Sequence, residues 1–228
     1  MEKQYYYAYS QYLKDKYGEK VYKLPVNLPV TCPNKKDGKG CLFCAEAGTG
    51  FEASDSSVSV FEQLAASRTK VEKRYHAHKF IAYFQNYTNT FLPLDRLLGY
   101  MEEASKVEDI VEISISTRPD CIRQDYLEAF YEFSSRTGIE VSIELGLQTV
   151  NYHTLMEMNR GHGLAEFIDA VLRIAPYHFP VCVHMILNLP GDTMDDAEES
   201  ARILSTLPIS MVKLHSLYIP KKCELYDK

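Results

Sequence analysis

Apolar positions along this chain recur with two alternating periods. Compact runs rich in β-branched and aromatic residues are followed by stretches whose apolar residues return every three to four positions, the signatures of strand and helix. The pattern predicts strands over residues 21–28, 79–85, 110–116, 140–147, 181–189 and 211–218. Between them it predicts helices over 58–75, 93–106, 123–136, 151–159, 164–175 and 193–207. The punctuation agrees: Pro93 stands at the first turn of one helix, Gly138 stops another, and Gly161-His162-Gly163 divides two short ones. Pro25 inside the first run marks an edge strand.

Strands alternating with helices at this frequency require parallel strands joined by crossover helices. Six such units suit either an open doubly wound sheet or an incomplete (β/α) barrel, and periodicity does not separate the two. The polar residues that follow the strands favour the barrel: three cysteines after the first, residues 85–89 after the second, 117–120 after the third, Gln148 after the fourth and 188–192 after the fifth. In a barrel those positions converge on one face. No G-x-G-x-x-G opens a helix after a strand, so the dinucleotide fingerprint is missing.

Composition adds bounds. At 228 residues and 46% hydrophobic, the chain can bury the core of one barrel-sized domain, residues 1–228, with 1–20 as an N-terminal extension. No apolar run reaches the roughly 18–20 residues of a membrane span, and the expectation is a soluble, cytoplasmic protein without a membrane partner. The net charge of −6 gives no general attraction to nucleic acid. The extension and the start of the first strand hold seven of the seventeen tyrosines, interleaved with lysines. Such residues can stack on bases and contact phosphates, or cover the end of a domain with rings buried and hydroxyls wet. The acidic total favours packing.

The candidate chemistry lies in TCPNKKDGKGCLFC, where Cys41 and Cys44 are two residues apart and Cys32 stands upstream across a Gly- and Lys-rich loop. Structural zinc takes four protein ligands and an all-cysteine iron–sulfur cluster also takes four. Three ligands leave a coordination position open for chemistry. A disulfide framework fits poorly with the length and with the lack of an apolar leader. A zinc site completed by a distant residue, or an inert cluster, holding an RNA- or protein-binding module together, stays open at this point. Cys121, at the end of the third strand, reads as a small hydrophobe or a second functional thiol, and Cys182 and Cys223 read as structural or incidental. His162, His184 and His215 suit either function or a satisfied core.

The cysteine loop followed by YFQNYTNT, STRPDC, ELGLQT, NRGH and HMILNLPGD, in that order, resembles the radical S-adenosylmethionine (SAM) enzymes. The resemblance is to the bacterial group similar to the catalytic subunit of the elongator complex, and it covers nearly the whole chain. It implies an incomplete (β/α)6 barrel and an enzyme that cleaves SAM reductively at a [4Fe–4S] cluster to give a 5′-deoxyadenosyl radical, fed by an external one-electron donor. It implies that Cys32, Cys41 and Cys44 each ligate one iron and that the fourth iron holds SAM. Gln85 and Asn86 stand where many members carry Gly-Gly-Glu against the methionine amino group. The same resemblance puts Thr117 and Arg118 near the methionyl part and Glu144 and Gln148 near the ribose. His184, Ile186 and Asn188 match the motif beside the adenine, with Asn188 in place of the usual Gly and Asp192 in place of the commoner Glu. It further implies tRNA as the substrate, at carbon 5 of a wobble uridine, with a small metabolite as the alternative. Members of the group continue past the sixth strand, so their C-terminal part is expected to be absent from this chain, which stops at Lys228.

Overall fold

The computed structural model describes residues 5–36, 38, 40–44, 54–219, 221 and 223–227. In chain order they form α1 (Tyr9–Tyr17), β1 (Val21–Val26), α2 (Pro33–Lys36), α3 (Val60–Tyr75), β2 (Lys79–Phe84), α4 (Leu94–Ser105), β3 (Ile110–Thr117) and α5 (Gln124–Thr137). Then come β4 (Glu140–Gln148), α6 (Tyr152–Glu157), α7 (Leu164–Ile174), β5 (Val181–Leu187), α8 (Met194–Thr206) and β6 (Met211–Ser216). Helix ends carry local signals. Ser59 and Glu62 form a capping box on α3, the Asn151 side chain caps α6, and left-handed Gly18 and Gly138 close α1 and α5.

Every strand pairing is parallel, and the order in the sheet runs from β1 to β6 without reversal. Right-handed crossovers that always step to the next strand keep the helices on one face and curl the sheet. A doubly wound sheet needs a reversal of direction, so the topology decides for the incomplete (β/α)6 barrel. Among the described residues β1 and β6 do not pair, which leaves the barrel open along one side.

Alternation along each strand divides the two faces. Leu24, Val26, Phe80, Phe84, Ile113, Ile115, Ile143, Leu145 and Val183 join Leu64, Leu97, Phe130 and Phe167 from the helices in the main apolar core. Fully burying a side chain of this size contributes roughly 1.5–3 kcal/mol. The opposite positions carry Lys23, Tyr83, Glu112, Ser114, Ser116, Ser142, Glu144, His184 and Lys213, and these hydrogen bond or stack with one another across the concave face. The concave face is therefore polar. Leu28 and Leu189, assigned to strands by their apolarity, lie just beyond the strand ends and are buried there, because apolarity reports burial rather than ladder hydrogen bonds.

The sequence pattern named no helix in the N-terminal extension, yet α1 forms and packs under the barrel. Leu13 meets Val21 and Ile81, the Tyr17 hydroxyl lies 2.7 Å from both Glu112 and Glu140, and Lys16 pairs with the same two carboxylates. Tyr12 and Tyr17 thus follow the packing reading, whereas Tyr5, Tyr6 and Tyr7 are exposed. No helix among the described residues is long and apolar enough to cross a membrane.

Candidate functional site at the open ends of the strands

Cys32 follows β1, and its carbonyl accepts the first backbone hydrogen bonds of α2 from Lys35 and Lys36. A turn from the Cys44 N–H to the Cys41 carbonyl sets the other two cysteines. The loop is pinned from outside: the Leu42 N–H donates to the Met158 carbonyl, Asn34 Nδ2 to the Asn159 carbonyl at 2.5 Å, and Asn159 Nδ2 to the Gly40 carbonyl at 2.7 Å. Gly161, with φ +73°, makes this approach feasible, since a Cβ there would stand 2.7 Å from Asn34 Oδ1 and 2.9 Å from Arg118. The segment after α6 is thereby the clamp of the cysteine loop.

All three loop cysteines line one pocket with Gln85, Thr117, Arg118, Glu144, Gln148 and His184. Arg118 is buried, grips Asp120 through Nε and Nη2 at 2.9 and 2.8 Å, and turns Nη1 to Cys32 Sγ at 3.6 Å. Burial opposes ionisation of Asp120, but the Arg118 fork outweighs it and holds the carboxyl below its ordinary value. Gln148 has φ +85° where the β4–β5 register shifts, a bulge that re-aims its side chain into the pocket. Thr117 shares a 2.5 Å hydrogen bond with Thr90.

Two of the expected residues stand off this pocket. Asn86 is buried behind it, donating to Asn27 Oδ1 at 2.6 Å, with its own Oδ1 buried and unpartnered. Asn188, with φ +63°, lines an adjoining cavity together with Ile186, Asp192 and Gln148. Gln148 borders both spaces.

Glu144 is almost fully buried, and its two oxygens are saturated. Oε1 receives Ser114 Oγ at 3.1 Å and the Lys23 ammonium, while Oε2 faces His184 Nε2 at 2.5 Å and Lys213 Nζ at 3.9 Å. His184 Nδ1 in turn lies 3.2 Å from His215 Nε2. Glu144, Cys182 and His184 place one potential ligand atom each within 4.8 Å of the others, but the two ammonium groups on Glu144 oppose a dication there.

The thiols differ in a way that bears on a thiolate-bound centre. Burial pushes Cys32 up, but the Thr88 hydroxyl, Arg118 and the Asn34 backbone outweigh it and leave the group below its ordinary value. Burial raises Cys44. Cys121 and Cys182 are pushed up to about 12, by burial first and then by Asp120 and Glu144 respectively. Cationic donors aimed at loop sulfurs, from Arg118 to Cys32 and from Arg160 Nη1 to Cys41 at 3.4 Å, fit a group held by thiolates. No disulfide involves any of the six cysteines.

Sequence reasoning passed over Arg160, Tyr83, Lys23 and Lys213. The signal for Arg160 is its place inside NRGH, and for the other three it is a polar or hydroxyl-bearing residue between apolar neighbours within a strand. His162 was singled out, and here its ring nitrogens face the Gly146 and Gly163 carbonyls. Burial, with Arg160 beside it, pushes that imidazole down to about 4.

The family model described as the radical SAM superfamily matches residues 26–204, from the end of β1 into α8. The chain belongs to the radical SAM superfamily. It is an enzyme of a class that uses SAM and a [4Fe–4S] cluster and draws on an electron donor. The uncharacterized protein MJ0486 of Methanocaldococcus jannaschii is 33% identical over 220 residues, which cover 96% of this chain and 68% of that protein. A tRNA uridine(34) acetyltransferase of Methanocaldococcus infernus is 24% identical over 135 residues, 56% of this chain and 24% of the relative. The solved structure of the archaeal Methanocaldococcus infernus Elp3 with an N-terminal deletion superimposes with a TM-score of 0.67 at 17% identity, covering 91% of this chain and 48% of the other. This radical SAM chain therefore spans about two thirds of MJ0486 and about half of that Elp3 chain.

Proposed function

We propose that Cys32, Cys41 and Cys44 hold a [4Fe–4S] cluster, that SAM binds beside it in the same pocket, and that the protein cleaves SAM reductively. The observation that supports this most is the convergence of the three loop cysteines with Arg118, Gln148 and the Glu144–His184 pair on one cavity at the C-terminal ends of parallel strands. When bound, such a cluster would supply one electron to the sulfonium of SAM, breaking its C–S bond to give methionine and the 5′-deoxyadenosyl radical used for hydrogen abstraction.

The chain's own groups bind and orient. Arg118, fixed and neutralised by Asp120, holds the cysteine loop to the end of β3 at the methionyl side. Gln85 and Gln148 line the cavity and would hold the amino group and the ribose respectively. Thr117, tied to Thr90, lines the methionyl side. Glu144, with both oxygens engaged, acts by orienting His184 at the adenine side, which leaves the ribose to Gln148. Asn86 supports the pocket from behind, and Asn188 reaches the adenine side only through the adjoining cavity.

Anaerobic reconstitution should give about four irons and four sulfides per chain, as this cluster type requires. With dithionite and SAM the protein should then release 5′-deoxyadenosine and methionine, and Gln148→Ala should weaken SAM binding with iron content unchanged. Zinc without sulfide, or an intact cluster that yields no deoxyadenosine, would turn the assignment to a metal-stabilised binding module.

For the substrate we infer tRNA, at carbon 5 of a wobble uridine. The support is the similarity to a tRNA uridine(34) acetyltransferase and the exposed rings of Tyr5, Tyr6 and Tyr7, which are suited to stacking on bases. Binding through the backbone should weaken steeply with salt, and cells lacking the gene should show an altered wobble uridine by nucleoside mass spectrometry. Unchanged nucleosides, with a small molecule stimulating deoxyadenosine release, would assign the radical to a metabolite instead.

A further inference from the structure

Two arginines reach the cysteine loop, and their charges are balanced differently. Arg118 touches Cys32 but spends Nε and Nη2 on Asp120, so the pair is neutral as a unit. Arg160 donates from Nη1 to Cys41 Sγ at 3.4 Å and from Nη2 to the Gly146 carbonyl at 2.6 Å, and its Nε is buried without a partner. Neither contact among the described residues is a carboxylate. Arg160 is only 7% exposed, and its charge sits against one sulfur in a poorly solvated place where a charge interacts strongly.

The backbone is shaped to admit this guanidinium. Gly146 lies beside the β4 register shift, and a Cβ there would stand 2.7 Å from Arg160 Nη2. Asn159, the preceding residue, ties the same segment to the Gly40 carbonyl one residue before Cys41. The guanidinium is thus fixed to β4 by one nitrogen and to the loop by the other.

We infer that Arg160 is a positioning residue that sets the reduction potential of the cluster through Cys41. The inference rests on the cluster reading proposed above. A cluster that accepts one electron from the external donor becomes one unit more negative, and an uncompensated cation hydrogen-bonded to a ligating sulfur stabilises that state more than the oxidised one. Hydrogen bonds to the sulfurs and local charge are the recognised controls of such potentials. Arg160 therefore makes the cluster easier to reduce.

The test is an electron paramagnetic resonance-monitored redox titration of the reconstituted protein without SAM, with iron and sulfide counted in each sample. Arg160→Gln is expected to keep its iron and to lower the reduced-to-oxidised ratio at fixed potential about tenfold, which is 59 mV for one electron. Arg160→Lys, which keeps the charge, should stay within about threefold of the parent by the same relation. Gly146→Ala leaves the arginine in the chain but displaces its guanidinium, and should shift the potential in the direction of the Gln variant. A full-iron Gln variant with an unmoved potential overturns the inference, as does a Lys variant that falls as far as Gln. If the Gln variant takes up no iron, Gly146→Ala decides, and an unchanged potential there overturns it. Parent protein without iron and sulfide defeats the cluster reading instead.

Discussion

Glu144 Oε2 and His184 Nε2 stand 2.5 Å apart on neighbouring strands, in the pocket that the three loop cysteines also line. One carboxylate thereby fixes an imidazole and neutralises a lysine on its other oxygen. Replacing Glu144 with Gln should leave Lys23 without its counter-ion and cost about 3–5 kcal/mol, the usual penalty for breaking a buried pair from one side. Urea unfolding measures this, and a loss below about 0.5 kcal/mol, typical of surface pairs, would mean that solvent already screens the group.

The same carboxyl carries a pH signature. Burial disfavours its ionised form, but His184, Lys23 and Lys213 outweigh burial and hold it well below the ordinary carboxylate range. Its folded value lies under its unfolded value of about 4.3, so its contribution is complete above that pH and is lost as pH falls below it. The parent should show this acid limb and Glu144→Gln should lack it.

At milder pH two histidines dominate. His162 and His215 are each pushed down to about 4, by burial first and then by Arg160 and His184 respectively. In the unfolded chain they protonate near 6.5, so stability should fall as pH drops from about 6.5 toward 4 and level off once both states are protonated. His215→Asn should flatten that slope in a series of denaturation curves. An unchanged slope would show that the imidazole is hydrated in solution.

Cluster absorbance should depend on the loop thiols alone. Ala at Cys32, Cys41 or Cys44 should abolish it, whereas Ala at Cys121, Cys182 or Cys223 should retain it, since burial keeps Cys121 and Cys182 protonated and Cys223 packs with Leu42 and Leu225. Loss of iron on changing Cys121 alone contradicts the ligand set.

Gly161→Ala tests the clamp. The residue sits at φ +73° with Asn34 and Arg118 against the place a Cβ would take, so a methyl group should cost about 1–3 kcal/mol in backbone strain and push the cysteine loop from its seat. Iron uptake should fall with thermal stability. Parent-like values for both would mean that the loop is held elsewhere.

The sequence by itself determined the elements and the order of the chemistry. Strand and helix periods are local, and each polar motif falls next to the run that it ends, so six units, three clustered cysteines and the loop residues 117–120 and Gln148 could all be read along the chain. The helix of the N-terminal extension escaped because its only buried residue is Leu13, too little for an apolar stripe to announce it. What the tertiary structure alone decided depends on neighbours distant in sequence. The unreversed strand order follows from pairing, and it decides for the barrel that the polar residues after the strands only favoured. The saturation of Glu144 needs Lys23, Ser114, His184 and Lys213 from four different strands. Arg160 reaches Cys41 across 119 positions of chain, and Asn86 turns to Asn27 while Asn188 lines the adjoining cavity, placements that residue type does not encode. Periodicity reports which side of an element is buried; which atoms meet across that buried side is set by packing.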